Sequence, residues 1–197
     1  MFDDLLWPFN SLPSRYIAID IETTGLFHQN EAPDMVSIGL CVVEQRKVVS
    51  TLEYRIKPRK AYSDGSELIH GFEWNDAQNH PNLSDSWADI ATLIESRLVV
   101  THNALFDWRV LCVAALRDDL TRPQVQGVFC SQRAAQPWAQ ANDIKCSERG
   151  PSLGNLMAAL GLEIERNDGK RKHSAKRDAY ILALMVEKLR DKAAREL

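Results

Sequence analysis

Two carboxylates, Asp20 and Glu22, stand two residues apart at the end of an apolar stretch, residues 16–21. The stretch is rich in aromatic and β-branched residues and follows a Pro-Ser pair, which predicts a buried strand. Side chains alternate between the faces of a strand, so both carboxylates point the same way. Burial and mutual repulsion make such a pair costly. A divalent cation with oxygen ligands would offset that cost. A solvated strand end that carries two acids is the simpler alternative.

Two more acids occur on predicted helices, at positions where apolar residues are expected. Asp178 continues the apolar stripe of the last predicted helix, and Asp107 lies on the apolar side of an earlier one. Asp is rarely fully buried without a partner. The helix dipole favours an acid in the first turn, which explains either residue singly. It does not explain why both acids face the predicted sheet.

A histidine, His173, lies close to Asp178 in the sequence. A separation of five residues is about 140° of rotation on a continuous helix, so the two cannot share a face if both are helical. Ser174 is a favourable N-cap residue. We therefore expect His173 on the loop before the helix and Asp178 inside it. A loop histidine beside buried carboxylates could act as a general base, although most loop histidines are ordinary surface residues.

The elements that must position these residues form a β-meander followed by alternating strands and helices. Strands are predicted at residues 16–21, 35–44, 47–56, 98–101 and 126–129. Helices are predicted at 66–70, 84–97, 105–117, 131–140, 152–160 and 175–194, with Ser84 capping the second and Gly161 ending the fifth. Gln45-Arg46 is a poor two-residue turn, so we expect the hairpin boundary to shift by a residue. The pattern predicts one α/β layer structure. We expect a single domain over residues 1–197, with an apolar arm at 1–14 and a core at 15–190.

Composition excludes few classes of function. The 197 residues have a net charge of −3, so no global basic field marks a nucleic-acid binder, but a local basic patch is sufficient for binding. The widely spaced cysteines form no Cys-x-x-Cys pair, which favours a reducing, cytoplasmic setting and argues against a zinc domain. No apolar run is long enough to span a membrane. The N-terminus carries acids where a signal peptide carries basic residues.

Three segments resemble the motifs of the DEDDh-type 3′–5′ exonucleases, which include the proofreading subunit of bacterial replicative polymerases and ribonuclease T. They occur in the order of the family, and the match runs from about residue 15 to 189. The segments are Asp20-Ile-Glu22-Thr-Thr-Gly, His102-Asn-Ala-Leu-Phe-Asp107 and His173-Ser-Ala-Lys-Arg-Asp178-Ala. Ile69-His70-Gly71 is also similar to a His-Gly segment of the family. One departure is Cys130-Ser131, where many members have Asp-Thr. This change affects a supporting position.

The resemblance implies a ribonuclease-H-like fold, with a five-stranded mixed sheet flanked by α-helices. It also implies two Mg²⁺ ions, with Mn²⁺ as a substitute, and His173 as the group that takes a proton from the attacking water. The implied metal ligands are Asp20, Glu22, Asp107 and Asp178. For the substrate, it implies a 3′-hydroxyl held by backbone amides at Thr23 and Thr24 and a terminal base packed on Leu26. The positions of His70 and Asn103 are implied to line the site.

We therefore expect a metal-dependent 3′–5′ exonuclease that releases nucleoside monophosphates from single-stranded or frayed DNA ends. An exoribonuclease is the alternative within this class, because the motifs do not place the contacts that sense a 2′-hydroxyl. A non-catalytic nucleic-acid-binding or polymerase-associated module is the alternative of another class, and the intact acids and His173 argue against it. Nucleic-acid 3′ ends are the expected partner. The sequence indicates no membrane association and no polymerase partner, and it leaves the oligomeric state open.

Overall fold

A five-stranded mixed sheet forms the centre of the computed structural model, which describes residues 9–28, 31–63, 65–163 and 173–194. The spatial order of the strands is β3-β2-β1-β4-β5. The meander pairs are antiparallel, and β4 runs parallel to both β1 and β5. The strands are β1 (Tyr16–Thr23), β2 (Met35–Glu44), β3 (Lys47–Arg55), β4 (Leu98–Thr101) and β5 (Gly127–Cys130).

Helices flank the sheet, as predicted. They are α1 (Ser66–His70), α2 (Trp74–Ala77), α3 (Leu83–Ile94), α4 (Asp107–Arg117), α5 (Ser131–Ala141), α6 (Leu153–Ala159) and α7 (Ala175–Ala193). A small hairpin of β6 (Cys146–Ser147) and β7 (Gly150–Pro151) lies between α5 and α6. None of the helices in the described residues has the length and apolar character needed to cross a membrane.

The alternation of side chains along β1 divides the core into two layers. Tyr16 and Ala18 face a cluster built mainly with α7, and Ile17 and Ile19 face a cluster built mainly with α3 and α4. All four side chains are at most 1% exposed. A strand that is covered on both faces reads as a continuous apolar run, which is why this stretch was recognisable in the sequence. The acids at its end are therefore held by a rigid element.

The β2–β3 turn lies at Gln45 and Arg46, so the expected shift of one residue was wrong, and β3 ends at Arg55, one residue earlier than predicted. Gln45 and Arg46 both adopt positive φ, 50° and 64°, in a two-residue turn that usually contains Asn or Gly. Tertiary contacts offset the poor turn propensity. The Arg46 N–H donates to the Ser14 carbonyl at 2.9 Å, and its guanidinium pairs with Glu187 of α7 at 2.6 Å.

Other local predictions need correction. Ser84 does not cap α3: the helix begins one residue earlier, and Asn82 and Asp85 form a capping box. Strand β5 begins and ends one residue later than predicted, and the short α2 and the β6–β7 hairpin were not predicted. Gly161 ends the α6 segment with φ of 59°, as expected. Phe9 packs edge-on against Phe129, so the described part of the arm contacts the core. Residues 1–8 of the arm lie outside the described residues, and the division into arm and core stays a prediction.

The N-terminus of α7 lies in direct contact with β2 at Gly39. A Cβ atom at this position would stand 1.9 Å from the carbonyl oxygen of Ala175. Gly39 is also the register partner of Asp20 in β1. The missing side chain therefore allows the first turn of α7, which carries Asp178, to approach the strand end that carries the first two acids.

Replacing Gly39 with Ala should destabilise the fold, because the added methyl group meets backbone that cannot rotate away. We expect a loss of about 1–3 kcal/mol in the free energy of unfolding, the usual cost of overpacking. Gly154→Ala in α6 is the matched control, since a Cβ there meets no atom within 4 Å. That variant should gain roughly 0.5–1 kcal/mol from helix propensity. Urea unfolding of both variants measures the difference. Equal stability of the two would contradict the close approach.

Candidate active site

The first two acids lie at the end of β1, where the strand passes beyond its apolar stretch. The strand continues to Thr23, so Asp20 and Glu22 share one side of it, as predicted. Asp20 is half-buried and Glu22 is 8% exposed. The register with β2 shifts between Glu22 and Thr23, which ends the regular ladder beside the acids. The backbone of both acids is paired with β2, whereas the pairing with β4 ends at Ile19.

The third acid, Asp107, is the first residue of α4 and is 5% exposed. Its N–H donates to the Asn103 carbonyl at 3.0 Å, which closes the turn between β4 and α4. Strands β1 and β4 are parallel, so their carboxyl ends meet at the same edge of the sheet. This topology brings Asp107 to the acids of β1 although more than eighty residues separate them.

The fourth acid and the histidine lie at the start of α7. Asp178 is 7% exposed, and His173 lies on the preceding loop, as predicted. Ser174 occupies the N-cap position, but its side chain makes no capping hydrogen bond. Instead, the His173 N–H donates to the Ile69 carbonyl at 3.0 Å, which fixes the loop on α1. The His173 ring donates from Nδ1 to Asp178 Oδ2 at 2.9 Å.

One group of potential metal ligands is compact: atoms of Glu22, His173 and Asp178 all lie within 4.8 Å of one another. The other two acids lie outside this group but share its electric field. Burial raises the pKa of Asp20 well above its usual value, and the charges of Asp107, Glu22 and Asp178 raise it further. The structure therefore brings the four predicted acids into one electrostatic unit.

The pKa values of Glu22, Asp107 and His173 are also raised. Burial, followed by the Asp178 charge, raises the pKa of Glu22 to about 7. Burial raises the pKa of Asp107 to about 7, against an opposing hydrogen bond with the Asn103 backbone. The hydrogen bond to Asp178 raises the pKa of His173. Burial is the largest cause of the carboxyl shifts, and the charges of neighbouring acids add to it at Asp20 and Glu22.

These residues fit a site for divalent cations. Carboxylate oxygens are the donors that Mg²⁺ and Mn²⁺ prefer, and a cation would offset the burial and the repulsion that disfavour the charged carboxylates. Asp178 is at present shared between His173 and Arg177, whose Nε lies 3.4 Å from Asp178 Oδ1. A metal ion at Asp178 would have to compete with both groups. The arrangement is a candidate acidic metal site, and the number and identity of the ions stay predictions.

Two of the four acids, Asp20 and Asp178, line one of two adjoining clefts. The first, of about 630 Å³, contains Asp20, His173 and Asp178. The second, of about 460 Å³, contains Leu26, whose side chain is 79% exposed, together with Phe27 and Phe106. Asn103 and Gln132 line both clefts, so the two are continuous. An exposed apolar surface beside charged groups suits a ligand with an apolar face and an anionic part.

The predicted substrate-binding residues have different surroundings. Leu26 and Asn103 line the clefts, as described. The backbone N–H of Thr24 already donates to the Asp34 carbonyl at 2.9 Å, so the structure gives this amide a different partner from the expected 3′-hydroxyl. The Thr23 hydroxyl donates to the Gly25 carbonyl at 2.6 Å. His70 is 1% exposed and accepts at Nδ1 from the Phe72 N–H, so it lies beneath the surface.

Asp34 is a structural residue of the site that the sequence did not reveal. Its N–H donates to the Thr24 hydroxyl, and its carboxylate accepts the N–H groups of Arg59 and Lys60 at 2.7 and 2.6 Å. The same carboxylate pairs with Arg117 of α4. Asp34 thus ties the segment after β1 to the segment after β3 and to α4. It lies in a polar, proline-containing loop, where no periodicity marks it as important.

The Cys130-Ser131 departure lies behind the second motif. The His102 ring makes hydrogen bonds of 3.0 Å to the Ser131 hydroxyl at Nδ1 and to the Pro151 carbonyl at Nε2. Burial lowers the pKa of His102 to about 4, so the ring is neutral, Nε2 donates, and Ser131 donates to Nδ1. Cys130 Sγ donates weakly to the His102 carbonyl at 3.6 Å. Serine therefore supplies the hydroxyl that this position needs, and the cysteine makes only a weak contact.

The ribonuclease-H-like fold and the acidic site are those expected for the exonuclease family that the sequence motifs resemble. A family model described as an exonuclease, RNase_T, matches residues 17–186, and the chain belongs to this family. A PolC-type DNA polymerase III from Thermotoga petrophila is 28% identical over 170 residues, which is 86% of this chain and 11% of the relative. The chain thus spans only about a tenth of the length of such relatives.

Two solved structures show the same fold. Exonuclease X, solved in complex with 5′ overhanging duplex DNA, is 23% identical with a TM-score of 0.69; the match covers 91% of this chain and 93% of that one. The nuclease domain of 3′hExo, a DEDDh family member bound to rAMP, is 12% identical with a TM-score of 0.67. The match covers 90% of this chain and 94% of that one. The predicted ribonuclease-H-like fold is confirmed.

The stability of the metal-free protein should fall as pH rises from about 4.5 to about 7. The pKa of Glu22 is about 7 when folded and about 4.5 when unfolded, so the folded state holds the extra proton in that interval. Glu22→Gln should remove the part of this loss that Glu22 causes, roughly 3 kcal/mol at about 1.4 kcal/mol per pH unit, and leave the parts that Asp20 and Asp107 cause. Urea unfolding in EDTA at pH 5 and pH 8 measures it.

Two comparisons isolate the effect of Glu22. The lowered pKa of His102 acts in the opposite direction. Between about pH 4 and 6.5 the folded state binds fewer protons than the unfolded state at this residue, so its contribution to stability increases as pH rises. The difference between Glu22→Gln and wild type cancels that contribution. Glu73→Gln, an exposed acid before α2, is the matched control and should keep the wild-type pH dependence. The same pH dependence in Glu22→Gln would contradict a shared field of acids.

Proposed function

We propose that this protein is a metal-dependent 3′–5′ exonuclease that acts on single-stranded or frayed DNA ends and releases nucleoside 5′-monophosphates. The observation that supports this proposal best is the gathering of the four acids and His173 beside an exposed apolar cleft. A binding module would gain nothing from carboxylates whose repulsion raises their own pKa values. An enzyme that uses cations to handle phosphate would gain from all of them.

In this proposal Asp20, Glu22, Asp107 and Asp178 hold two Mg²⁺ ions, for which Mn²⁺ can substitute. Those ions would activate water and stabilise the leaving oxygen of an in-line displacement. His173 accepts the proton of the attacking water. The bond between phosphorus and the O3′ of the penultimate nucleotide breaks, and that oxygen takes a proton from solvent. His173 donates from Nδ1 to Asp178, so in its neutral form Nε2 is the nitrogen that accepts the proton of the attacking water.

The terminal nucleotide is proposed to lie in the continuous cleft, with its base on Leu26. The Phe27 ring lies edge-on to Phe106 at 5.7 Å and under the Arg109 guanidinium at 4.2 Å, which holds the neighbouring surface in place. Asn103, at the junction of the clefts, is proposed to contact the sugar or phosphate. Contacts with a base face, sugar and phosphate carry little sequence information, so low sequence selectivity should follow.

The polarity and the metal requirement can be tested on labelled oligonucleotides. We expect the protein to shorten single-stranded DNA from the 3′ end in Mg²⁺ or Mn²⁺, to release mononucleotides, and to stop in EDTA. A 3′-terminal phosphate should inhibit the reaction, because the site is proposed to accept a free 3′-hydroxyl. Asp107→Asn, purified in parallel, controls for contaminating nucleases and should be inactive.

The same assay distinguishes the alternatives. RNA of matched sequence, degraded at least tenfold faster than DNA, would change the assignment to exoribonuclease. Binding of either strand without cleavage under all metal conditions would support a non-catalytic module. Internal cuts, or an equal rate on the 3′-blocked strand, would contradict the proposed polarity.

His173→Ala should reduce the single-turnover rate by roughly 10²–10⁴-fold, the usual range for removal of a general base. Substrate affinity, measured by fluorescence anisotropy, should change little, because the ring is proposed to act on water. His80→Ala is the matched control, since this histidine lines a separate groove along β3, and it should keep the wild-type rate. A His173→Ala variant with an unchanged rate would remove this residue from the mechanism.

A further inference from the structure

Arg177 is a cation placed among groups that are proposed to bind cations. It is the third residue of α7, and its side chain is only 13% exposed. The side chain lines the same cleft as Asp20, His173 and Asp178, and its Nε lies 3.4 Å from Asp178 Oδ1. None of the roles assigned above to the acids or to the histidine includes this guanidinium.

The charge of Arg177 acts on more than its immediate neighbour. Burial and the other acids raise the pKa of Asp20, and Arg177 partly offsets that rise. Arg177 likewise opposes the rise in the pKa of His173 that Asp178 causes. The guanidinium is therefore within electrostatic reach of both the first acid and the proposed base, and it is not a surface charge directed away from the site.

The orientation of Arg177 differs from that of the preceding residue. Arg177 and Ile181, one helical turn apart, both line the acidic cleft. Lys176, the adjacent basic residue, instead lines a groove along β3 with Tyr54 and His80. Helix geometry thus directs one of two consecutive basic side chains at the catalytic acids and the other away from them.

A fixed cation beside metal ligands has a cost, because it competes with the metal for Asp178 and lowers cation affinity. Arginine cannot lose its charge at any physiological pH. The cost is offset if the guanidinium binds an anion that reaches the site together with the metal. A phosphodiester brings such an anion, and the planar guanidinium presents paired N–H donors that match two phosphate oxygens.

We infer that Arg177 binds a non-bridging oxygen of the scissile phosphate and stabilises the charge that develops there during displacement. The inference deepens the proposed exonuclease function and rests on it. It assigns Arg177 as a catalytic residue that contacts substrate, in addition to the four acids and His173. Because the contact is to phosphate, it should apply to DNA and RNA alike.

Two substrates test the contact. One is a single-stranded oligonucleotide, and the other is the 4-nitrophenyl ester of thymidine 5′-monophosphate, which contains only one phosphodiester. Arg177→Gln should lower the single-turnover rate on both by about 10²–10³-fold at saturating Mg²⁺, the usual effect of removing one charge-stabilising donor. Arg177→Lys keeps the charge but lacks the paired N–H donors, so its rate should lie between those of wild type and Arg177→Gln. Lys176→Gln, the matched control, should stay within threefold of wild type.

Several results would overturn the inference. An active wild type with an equally active Arg177→Gln variant removes the contact but leaves the exonuclease proposal intact. A loss confined to the oligonucleotide would assign Arg177 to a neighbouring phosphate. Full recovery of the Arg177→Gln rate at high Mg²⁺ would show that the residue acts on metal binding alone. Thermal melts show whether Arg177→Gln folds. If it does not, the Arg177→Lys variant decides: a folded Arg177→Lys protein with the wild-type rate overturns the inference. An inactive wild type overturns both proposals.

Discussion

The carboxylates of the site repel one another, and the rest of the structure must hold them together against that repulsion. No local preference would gather Asp20, Glu22, Asp107 and Asp178 at one edge of a sheet. The apolar packing on both faces of β1 must supply the free energy that holds them together. Parallel pairing of β1 and β4 brings three of the acids to that edge, and the long helix α7 brings the fourth.

Helix α7 is positioned at both of its ends, which explains how one element can carry two functional groups accurately. At its start, the backbone contact at Gly39 sets the distance to the sheet. Towards its end, the Tyr16 hydroxyl donates to Glu187 at 3.1 Å, and the Arg190 guanidinium donates to the Pro13 carbonyl at 3.1 Å. The same Glu187 pairs with Arg46 in the β2–β3 turn. These contacts lie far from the acids, yet they fix the helix that presents Asp178.

Periodicity and burial explain which parts of the structure were predictable. The strands and long helices carry strong apolar patterns, and their bounds agree with prediction to within a few residues. The cap of α3 was missed because Asn82 and Ser84 are both good capping residues, and only the reciprocal bond with Asp85 decides between them. The acids were recognisable because a carboxylate is rarely found within an apolar pattern unless it has a partner. Asp34 and Arg177 were not recognised, because the role of each depends on contacts between segments that are distant in sequence.

The two basic side chains at Asp178, His173 and Arg177, have different consequences for the proposed mechanism. Both contact the Asp178 carboxylate, and Arg177 carries a positive charge that partly compensates the acids. His173 can contact Asp178 and act as a base at the same time, because its neutral ring donates from Nδ1 to the carboxylate and leaves Nε2 to accept a proton from water. A metal ion at Asp178 would compete for the carboxylate that accepts this bond, so metal binding and the orientation of His173 are linked. Arg177 cannot be released by deprotonation, and an arriving phosphate is the partner that keeps its charge compensated. Under the proposed mechanism, the two basic groups at Asp178 therefore respond to different ligands, His173 to a metal ion at its partner and Arg177 to the arriving phosphate.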